Sequence, residues 1–218
     1  MNSSNSLVLV LFGVALIVFY RKKIVADWQL FRLNRQMWAR DKWENWIKPL
    51  FVAAVLAIAI RTFLLGPYKI PTGSMRTVLM EGDRIFVDKI SYRLHEPKRG
   101  DIVVFKYPMD RKKDFVKRLI AFGDETAEIR SGEIFIDGKK LETPPSIAEH
   151  FYYNREDWNY GKTGQKIMVP KDHYFVLGDN SAQSSDSQNW GFVPKKDMIG
   201  RAILIWWPPQ RFRLIKDS

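Results

Sequence analysis

The sequence predicts a mostly β, antiparallel domain that follows two transmembrane α-helices. Three observations predict it. Two dense apolar runs are confined to the first third of the 218 residues. After Gly66 the pattern changes to short runs in which apolar and polar residues alternate. Turn-rich separators divide those runs at spacings of about ten residues, as in a barrel-like or sandwich-like antiparallel sheet. Residues 66–218 are enough to bury a core of their own. The chain has no cysteine, which excludes a cysteine nucleophile, a disulfide framework and a thiolate metal site.

Residues 1–6 are uncharged and precede the first expected helix, residues 7–24. Its apolar heart, Leu7 to Tyr20, would span only roughly 21 Å of a hydrocarbon core ~30 Å thick. Extension past Arg21-Lys22-Lys23, with those side chains snorkelling to the headgroups, closes the gap. A cleavable leader would carry basic residues in front and a small-residue cleavage site behind. Here the charges follow the apolar run, so a retained anchor is expected.

Residues 25–46 form a basic loop. Arg32, Arg35, Arg40 and Lys42 join the terminal clusters against only Asp27, Asp41 and Glu44, and the positive-inside rule places the loop in the cytoplasm. Trp28, Leu30, Phe31, Leu33, Met37 and Trp38, interleaved with basic residues, suit either a helix on an anionic leaflet or a helical hairpin. The second expected span is residues 47–65. Pro49 fits its first turn, Arg61 can reach headgroups near its far end, and Trp43 and Trp46 suit a membrane interface. Both termini and the whole of residues 66–218 then lie outside the membrane's cytoplasmic face.

In that outer part, residues 83–88, 101–105, 133–139, 173–177 and 200–206 have the alternation of strands, and Asp137-Gly138 marks a hairpin turn. Residues 143–165 are the least periodic and are expected to be a surface insertion. Trp206-Trp207-Pro208-Pro209 is either an apolar patch that dips into lipid or ordinary core. The net charge of +11 raises nucleic acid as a partner, but much of it belongs to the cytoplasmic loop and no nucleic-acid-binding motif accompanies the rest. No nucleic-acid partner is expected.

Chemistry concentrates in three segments. Ser74 lies in Ile70-Pro71-Thr72-Gly73-Ser74-Met75, shortly after the second apolar run. A serine hydroxyl is a weak nucleophile until a base takes its proton. The histidines, His95, His150 and His173, sit in no segment that resembles a triad signature. A lysine can serve instead if burial lowers its pKa. Lys117 is flanked by Phe115, Val116, Leu119 and Ile120, and on a strand it would share the apolar face of Phe115 and Leu119 while Arg118 faced the other way. The third segment, Gly178 to Ser187, opens on a glycine and is rich in Ser and Asp.

Together these boxes resemble the type I signal peptidases, membrane-bound Ser-Lys proteases. The resemblance runs through Arg61-Thr62-Phe63, Pro71 to Met75, Gly82 to Lys89, Arg99 to Phe105, Phe115 to Arg118, Gly178-Asp179-Asn180, Ser184 to Ser187, and Trp190 to Pro194. It implies the folded antiparallel β domain that signal peptidases share with self-cleaving repressor proteases. It further implies Ser74 as nucleophile, Lys117 as general base, Thr72 with the Ser74 N–H as oxyanion donors, and Ser184 as the hydroxyl that orients the lysine. Asp186, Gly178 and Asp179 would form the supporting shell, and Ile70, Met75 and Phe115 would line the substrate pockets. No metal or cofactor is implied. The substrates would be exported preproteins delivered by the secretion machinery, cut after small-x-small sequences, with membrane lipid as the other partner. The expected location is the plasma (inner) membrane. A soluble self-cleaving repressor would lack the two anchors, and an inactive membrane-anchored scaffold would not need the four hydroxyl and amine groups. Three places depart from the family pattern: Arg76-Thr77-Val78, Ala121-Phe122-Gly123, and Gln188 where an arginine is usual.

Overall fold

The structure is a computed structural model that describes residues 20–29, 31–59 and 64–215, and the chain divides after Ile58 into two units. In the first unit, residues 20–29 and 31–33 are helical (α1). Asn34 caps the next helix, α2 (Arg35–Lys42), by accepting the N–H groups of Gln36 and Met37 at 3.1 Å. A π-helical turn, Trp43–Ile47, leads from α2 into α3 (Lys48–Ala59). An ion pair of Lys42 with Asp27, and the Lys23 ammonium 4.9 Å from the centre of the Trp46 ring, hold α1 back against α2 and the π-helical turn, so the basic loop is a helical hairpin. Pro49 has no N–H and its ring crowds the carbonyl four residues back; a wider turn at this place relieves both.

None of the α3 side chains is buried, although the helix is almost wholly apolar beyond Lys48. Among the described residues no helix is long and apolar enough to cross a membrane. Most of the first expected span, residues 7–24, lies outside the described residues. The second, 47–65, is helical through Ala59, residues 60–63 lie outside the described residues, and Leu65 opens a strand.

In the second unit every strand pairing is antiparallel, and only short helical turns interrupt the strands. Its strands are β1 (Leu65–Lys69), β2 (Arg84–Asp88), β3 (Ile102–Lys106), β4 (Asp114–Phe122), β5 (Thr126–Arg130), β6 (Glu133–Ile136), β7 (Lys139–Lys140), β8 (Ile167–Met168), β9 (His173–Leu177), β10 (Val193–Pro194), β11 (Met198–Trp207) and β12 (Arg213–Leu214). The larger sheet has the order β1-β2-β11-β3-β4-β9-β10, with β12 also on β11, and the smaller is β7-β6-β5-β8. Pro67 is tolerated in β1 because that strand is an edge. The Asp137-Gly138 turn joins β6 to β7 with positive φ at both residues, as a tight hairpin turn requires. β11, last of the long strands in sequence, is inserted between β2 and β3, and register shifts against both neighbours bend it.

Alternation puts Ile85, Val87, Ile102, Val104, Ala202 and Ile205 in one core cluster, where Ile70, Met75 and Leu79 join them. Val103, Phe105, Leu119 and Val176 form another. The segment 143–165 is more than a surface insertion. It sends Ile147 and Tyr152 into the cluster of Ile120, Phe175 and Leu177, an anchoring by single side chains that periodicity does not reveal. The tryptophan pair divides: Trp206 stacks on Phe86 at 5.6 Å between centroids, while Trp207 is exposed, as are Phe212 and Leu214.

Candidate active site

The Ser74 segment is a short connection pinned at both ends by apolar side chains. Ile70 and Met75 are buried in the same cluster, and Ile70 exchanges backbone hydrogen bonds with the 82–83 turn, donating to the Asp83 carbonyl at 2.8 Å and accepting from the Gly82 N–H at 2.9 Å. Between the pins Thr72 is extended and exposed, and Gly73–Met75 make a 3₁₀ turn that leaves Ser74 half-buried. The departure at 76–78 is ordered by its own contacts. Arg76 pairs with Glu81, and Thr77, at a φ of +89° unusual for a β-branched residue, is 3.3 Å from His150 Nε2 through its hydroxyl.

Lys117 is on β4, an interior strand flanked by β3 and β9, opposite Val103. It is 3 % exposed, and its Nζ is 2.7 Å from Ser74 Oγ. Burial pulls the lysine pKa down to about 8, against the opposing charges of Asp186 and Asp179. The Phe115 ring, on the same face, has its centre 5.7 Å from Nζ. Two of the three histidines are engaged elsewhere, His150 with Thr77 and His173 with the Lys171 carbonyl.

Arg118 faces the other way, as alternation requires, into a buried two-point ion pair with Asp179, at 2.7 Å for Nε to Oδ1 and 2.7 Å for Nη2 to Oδ2. Its remaining end donates to the Gly100 carbonyl at 2.7 Å. The loop after β9 then reaches the serine. Asn180 donates its backbone N–H to the Ser74 carbonyl at 3.1 Å and its side-chain amide to the Gly73 carbonyl at 2.9 Å. Gly178 is there because nothing larger fits: a Cβ would overlap Ser184 and stand 2.6 Å from the Ser74 carbonyl oxygen.

Ser184 and Asp186 are both buried behind the lysine. Asp186 accepts the N–H groups of Gly178 at 3.0 Å and Gln188 at 3.2 Å, and it caps the single helical turn Ser187–Trp190. Burial nevertheless pushes its carboxyl above the usual range, opposed by those N–H donors, by Ser184 and by Lys117. The Ser184 hydroxyl makes no hydrogen bond of standard geometry, to Lys117 or to any other described residue, though it is near enough to Asp186 to favour the charged carboxylate. The Gln188 departure leaves a buried amide with neither end bonded, and Asp186 keeps its place through backbone groups.

A cleft of about 130 Å³ runs along this site between residues 68–72 and 114–117, with Ser74 and Lys117 in its wall. All three residues expected for substrate pockets, Ile70, Met75 and Phe115, line it. The residues that sequence reasoning did not single out are Arg118, Asn180 and Tyr152. Arg118 and Asn180 lie within the quoted boxes and could have been found there; Tyr152, buried near Asp179 and Arg118, is in the aperiodic segment and carries no local signal. Among the described residues no group of three or more His, Asp or Glu is placed to hold a metal ion.

The family model described as "Signal peptidase, peptidase S26" matches residues 43–207, which include every residue of the site. The chain belongs to this family. Similar proteins include a probable signal peptidase I-2 of Synechocystis sp., 38 % identical over 184 residues, or 82 % of this chain and 79 % of the relative. The signal peptidase I P of Bacillus subtilis subsp. natto is 37 % identical over 178 residues, 79 % of this chain and 93 % of its own. Among solved structures, a signal peptidase I from Enterococcus faecalis V583 is similar at 30 % identity and a TM-score of 0.40, covering 49 % of this chain and 97 % of that one. Ser74, Lys117 and the 178–187 loop all fall inside the matched region.

Proposed function

We propose that the chain is a membrane-bound serine endopeptidase that removes N-terminal signal peptides from exported preproteins after small-x-small sequences. The observation that carries this reading is the 2.7 Å approach of a buried, pKa-lowered Lys117 to the Ser74 hydroxyl. In its neutral form the amine takes the Ser74 proton as Oγ attacks the scissile carbonyl carbon. The resulting oxyanion is stabilised by the Ser74 N–H and the Thr72 hydroxyl. As the C–N bond breaks, the Lys117 ammonium returns the proton to the leaving amine, and an acyl-enzyme remains on Ser74. The same lysine then deprotonates water, which attacks the ester carbonyl; as the acyl C–O bond breaks, the Lys117 ammonium returns the proton to Ser74 Oγ and the carboxylic acid product leaves. Ser184 and Asp186 form the polar wall behind the lysine; Asp179, Asn180 and Gly178 keep the serine turn in place. The shallow cleft walled by Ile70, Met75 and Phe115 suits small side chains before the cleaved bond.

The membrane assignment rests on the two apolar runs, the basic loop between them and the lack of any buried side chain on the apolar α3, whose exposed faces lipid would cover. The arrangement is an anchor of two spans in the plasma membrane with both termini and the β unit outside, and a reporter fused after Ser218 should read as extracytoplasmic.

The decisive experiment gives the purified full chain, in detergent, a preprotein with a small-x-small site. Cleavage there by the parent, and none by Ser74→Ala or Lys117→Met, is the expected result. Cleavage by either variant would remove the dyad, and an inert parent would favour the inactive scaffold.

A further inference from the structure

The segment 150–153 links the two flanks of the serine turn. At one end His150 Nε2 lies 3.3 Å from the hydroxyl of Thr77, which follows Ser74 by three residues. At the other end the Tyr153 N–H donates to Ser181 Oγ at 2.9 Å. Ser181 follows Asn180, whose own N–H holds the Ser74 carbonyl at 3.1 Å. Side chains alternate along the segment: Tyr152 is fully buried, whereas Phe151 and Tyr153 are 58 % and 51 % exposed. The two exposed rings meet edge to face with their centres 4.8 Å apart.

Exposed apolar side chains that stand singly are ordinary and need no explanation. This pair differs because it is fixed from below. Tyr152 donates its N–H to the Gly132 carbonyl at 2.9 Å, and its ring joins the core cluster of Ile120, Phe175 and Leu177. The Phe151 ring lies so close over Gly132 that a Cβ there would stand 2.2 Å from it. Rings whose backbone is already held at Gly132 and Ser181 lose little freedom when a ligand covers them, which is the condition for a preorganised apolar subsite.

Their position says what would cover them. The catalytic cleft has Tyr68 and Asp114 at one end and Ser74 and Lys117 at the other. This step rests on the signal-peptidase reading above, in which the cleft holds the residues before the cleaved bond. The residues after the bond then leave at the serine end, where the segment 150–153 stands. The links from Ser74 through Asn180 and Ser181 to Tyr153 limit the separation of the two backbones to roughly 12 Å, or three to four extended residues at about 3.3 Å each. We propose that Phe151 and Tyr153 form a downstream subsite that takes an apolar side chain roughly two to four residues after the cleaved bond, in the part of the substrate that becomes the new N-terminus.

The test uses a small-x-small peptide carrying Phe or Ser at the second, third or fourth position after the bond. Cleavage is measured as kcat/KM with the full chain in detergent, and binding of the same peptides is measured on Ser74→Ala by fluorescence anisotropy. At one position or more, Phe should be preferred over Ser by about five- to tenfold in both measurements, as expected when a ring is about half buried. The preference should persist in about 0.5 M sodium chloride, because an apolar contact is not screened by salt. Phe151→Ser/Tyr153→Ser should remove it, Tyr153→Ser alone should weaken it, and Tyr153→Phe should keep it. A benzophenone side chain at the preferred position, irradiated on Ser74→Ala, should label residues 150–153. Equal binding and cleavage of the Phe and Ser peptides at all three positions would overturn the proposal. So would a preference that the serine variants leave intact, or a label that maps elsewhere. If no peptide is cleaved, the peptidase reading fails on that arm, while binding to Ser74→Ala and the site of the label still decide for or against the subsite.

Discussion

The backbone N–H of Asn180 donates to the carbonyl oxygen of Ser74 across 3.1 Å. That bond completes a closed frame around the two reactive groups. Lys117 is joined through its peptide bond to Arg118, Arg118 through a buried ion pair to Asp179, Asp179 through its peptide bond to Asn180, and Asn180 to Ser74. The 2.7 Å approach of Lys117 to Ser74 closes the ring. Reactive geometry of this kind must hold to a fraction of an ångström, and a frame with two covalent sides resists drift better than a single contact.

The ion pair is the costliest non-covalent side of that frame to lose. Asp179→Asn leaves the buried Arg118 guanidinium without its charge partner, and loss of one member of such a pair costs about 3–5 kcal/mol. Urea unfolding should show a lower midpoint with an unchanged slope, and Arg118→Met/Asp179→Leu should recover most of the loss.

Gly178→Ala should separate fold from activity. The added methyl would meet Ser184 and, at 2.6 Å, the Ser74 carbonyl oxygen, so the serine turn has to move. Overpacking of this size costs about 1–3 kcal/mol. A displaced nucleophile costs about 10²-fold in kcat, so steady-state kinetics should register the change far more strongly than thermal unfolding does.

Activity should depend on pH through the lysine. Lys117 is inactive as a base while protonated, and its pKa is pulled down to about 8, so kcat/KM should rise with pH through about 8 and level off above it. The carboxylate of Asp186 opposes that pull. Asp186→Asn removes the negative charge with little change of shape, and the inflection should move to lower pH. A pH–rate profile that shifts upward in Asp186→Asn would contradict the electrostatic account.

Thr72 is extended, exposed and beside the serine, and its hydroxyl makes no capping bond. As an oxyanion donor it would act only when charge develops. Thr72→Val should then lower kcat by about 10²–10³ with little change in KM, whereas Thr72→Ser should retain most of the rate.

Gln188 buries both polar ends of its amide without a partner. An unmet buried polar group costs about 1–3 kcal/mol, so Gln188→Met should raise the unfolding midpoint in urea rather than lower it. The Gln188 backbone N–H would still donate to Asp186.

Much of this molecule is legible from residue order. Strand alternation is a local property, so the strands near 84–88, 102–106 and 173–177 can be read from the side chains themselves, as can the hairpin at Asp137-Gly138. The opposed directions of Lys117 and Arg118 follow from the same period of two. Ile147 and Tyr152 could not be read that way, because each enters the core singly from an irregular segment. Nor could the start of β1 at Leu65, where an apolar residue continues the pattern of a helix but pairs as an edge strand.

By itself the sequence determined that segments near 84–88, 102–106, 133–136, 173–177 and 200–206 are strands, which side chains could react, and a resemblance that ties Ser74, Lys117 and the 178–187 loop to one family. Tertiary structure alone decided that β11 would divide β2 from β3, that Lys117 would be dry enough to lose its proton near pH 8, and that Arg118 and Asn180 would brace the serine. The physical reason is range. A strand's pattern is set by neighbours two residues apart, whereas the contacts Lys117–Ser74, Arg118–Asp179 and Asn180–Gly73 join residues 43, 61 and 107 positions apart. Burial and pKa belong to the surroundings that such contacts assemble, not to the residue that carries the charge.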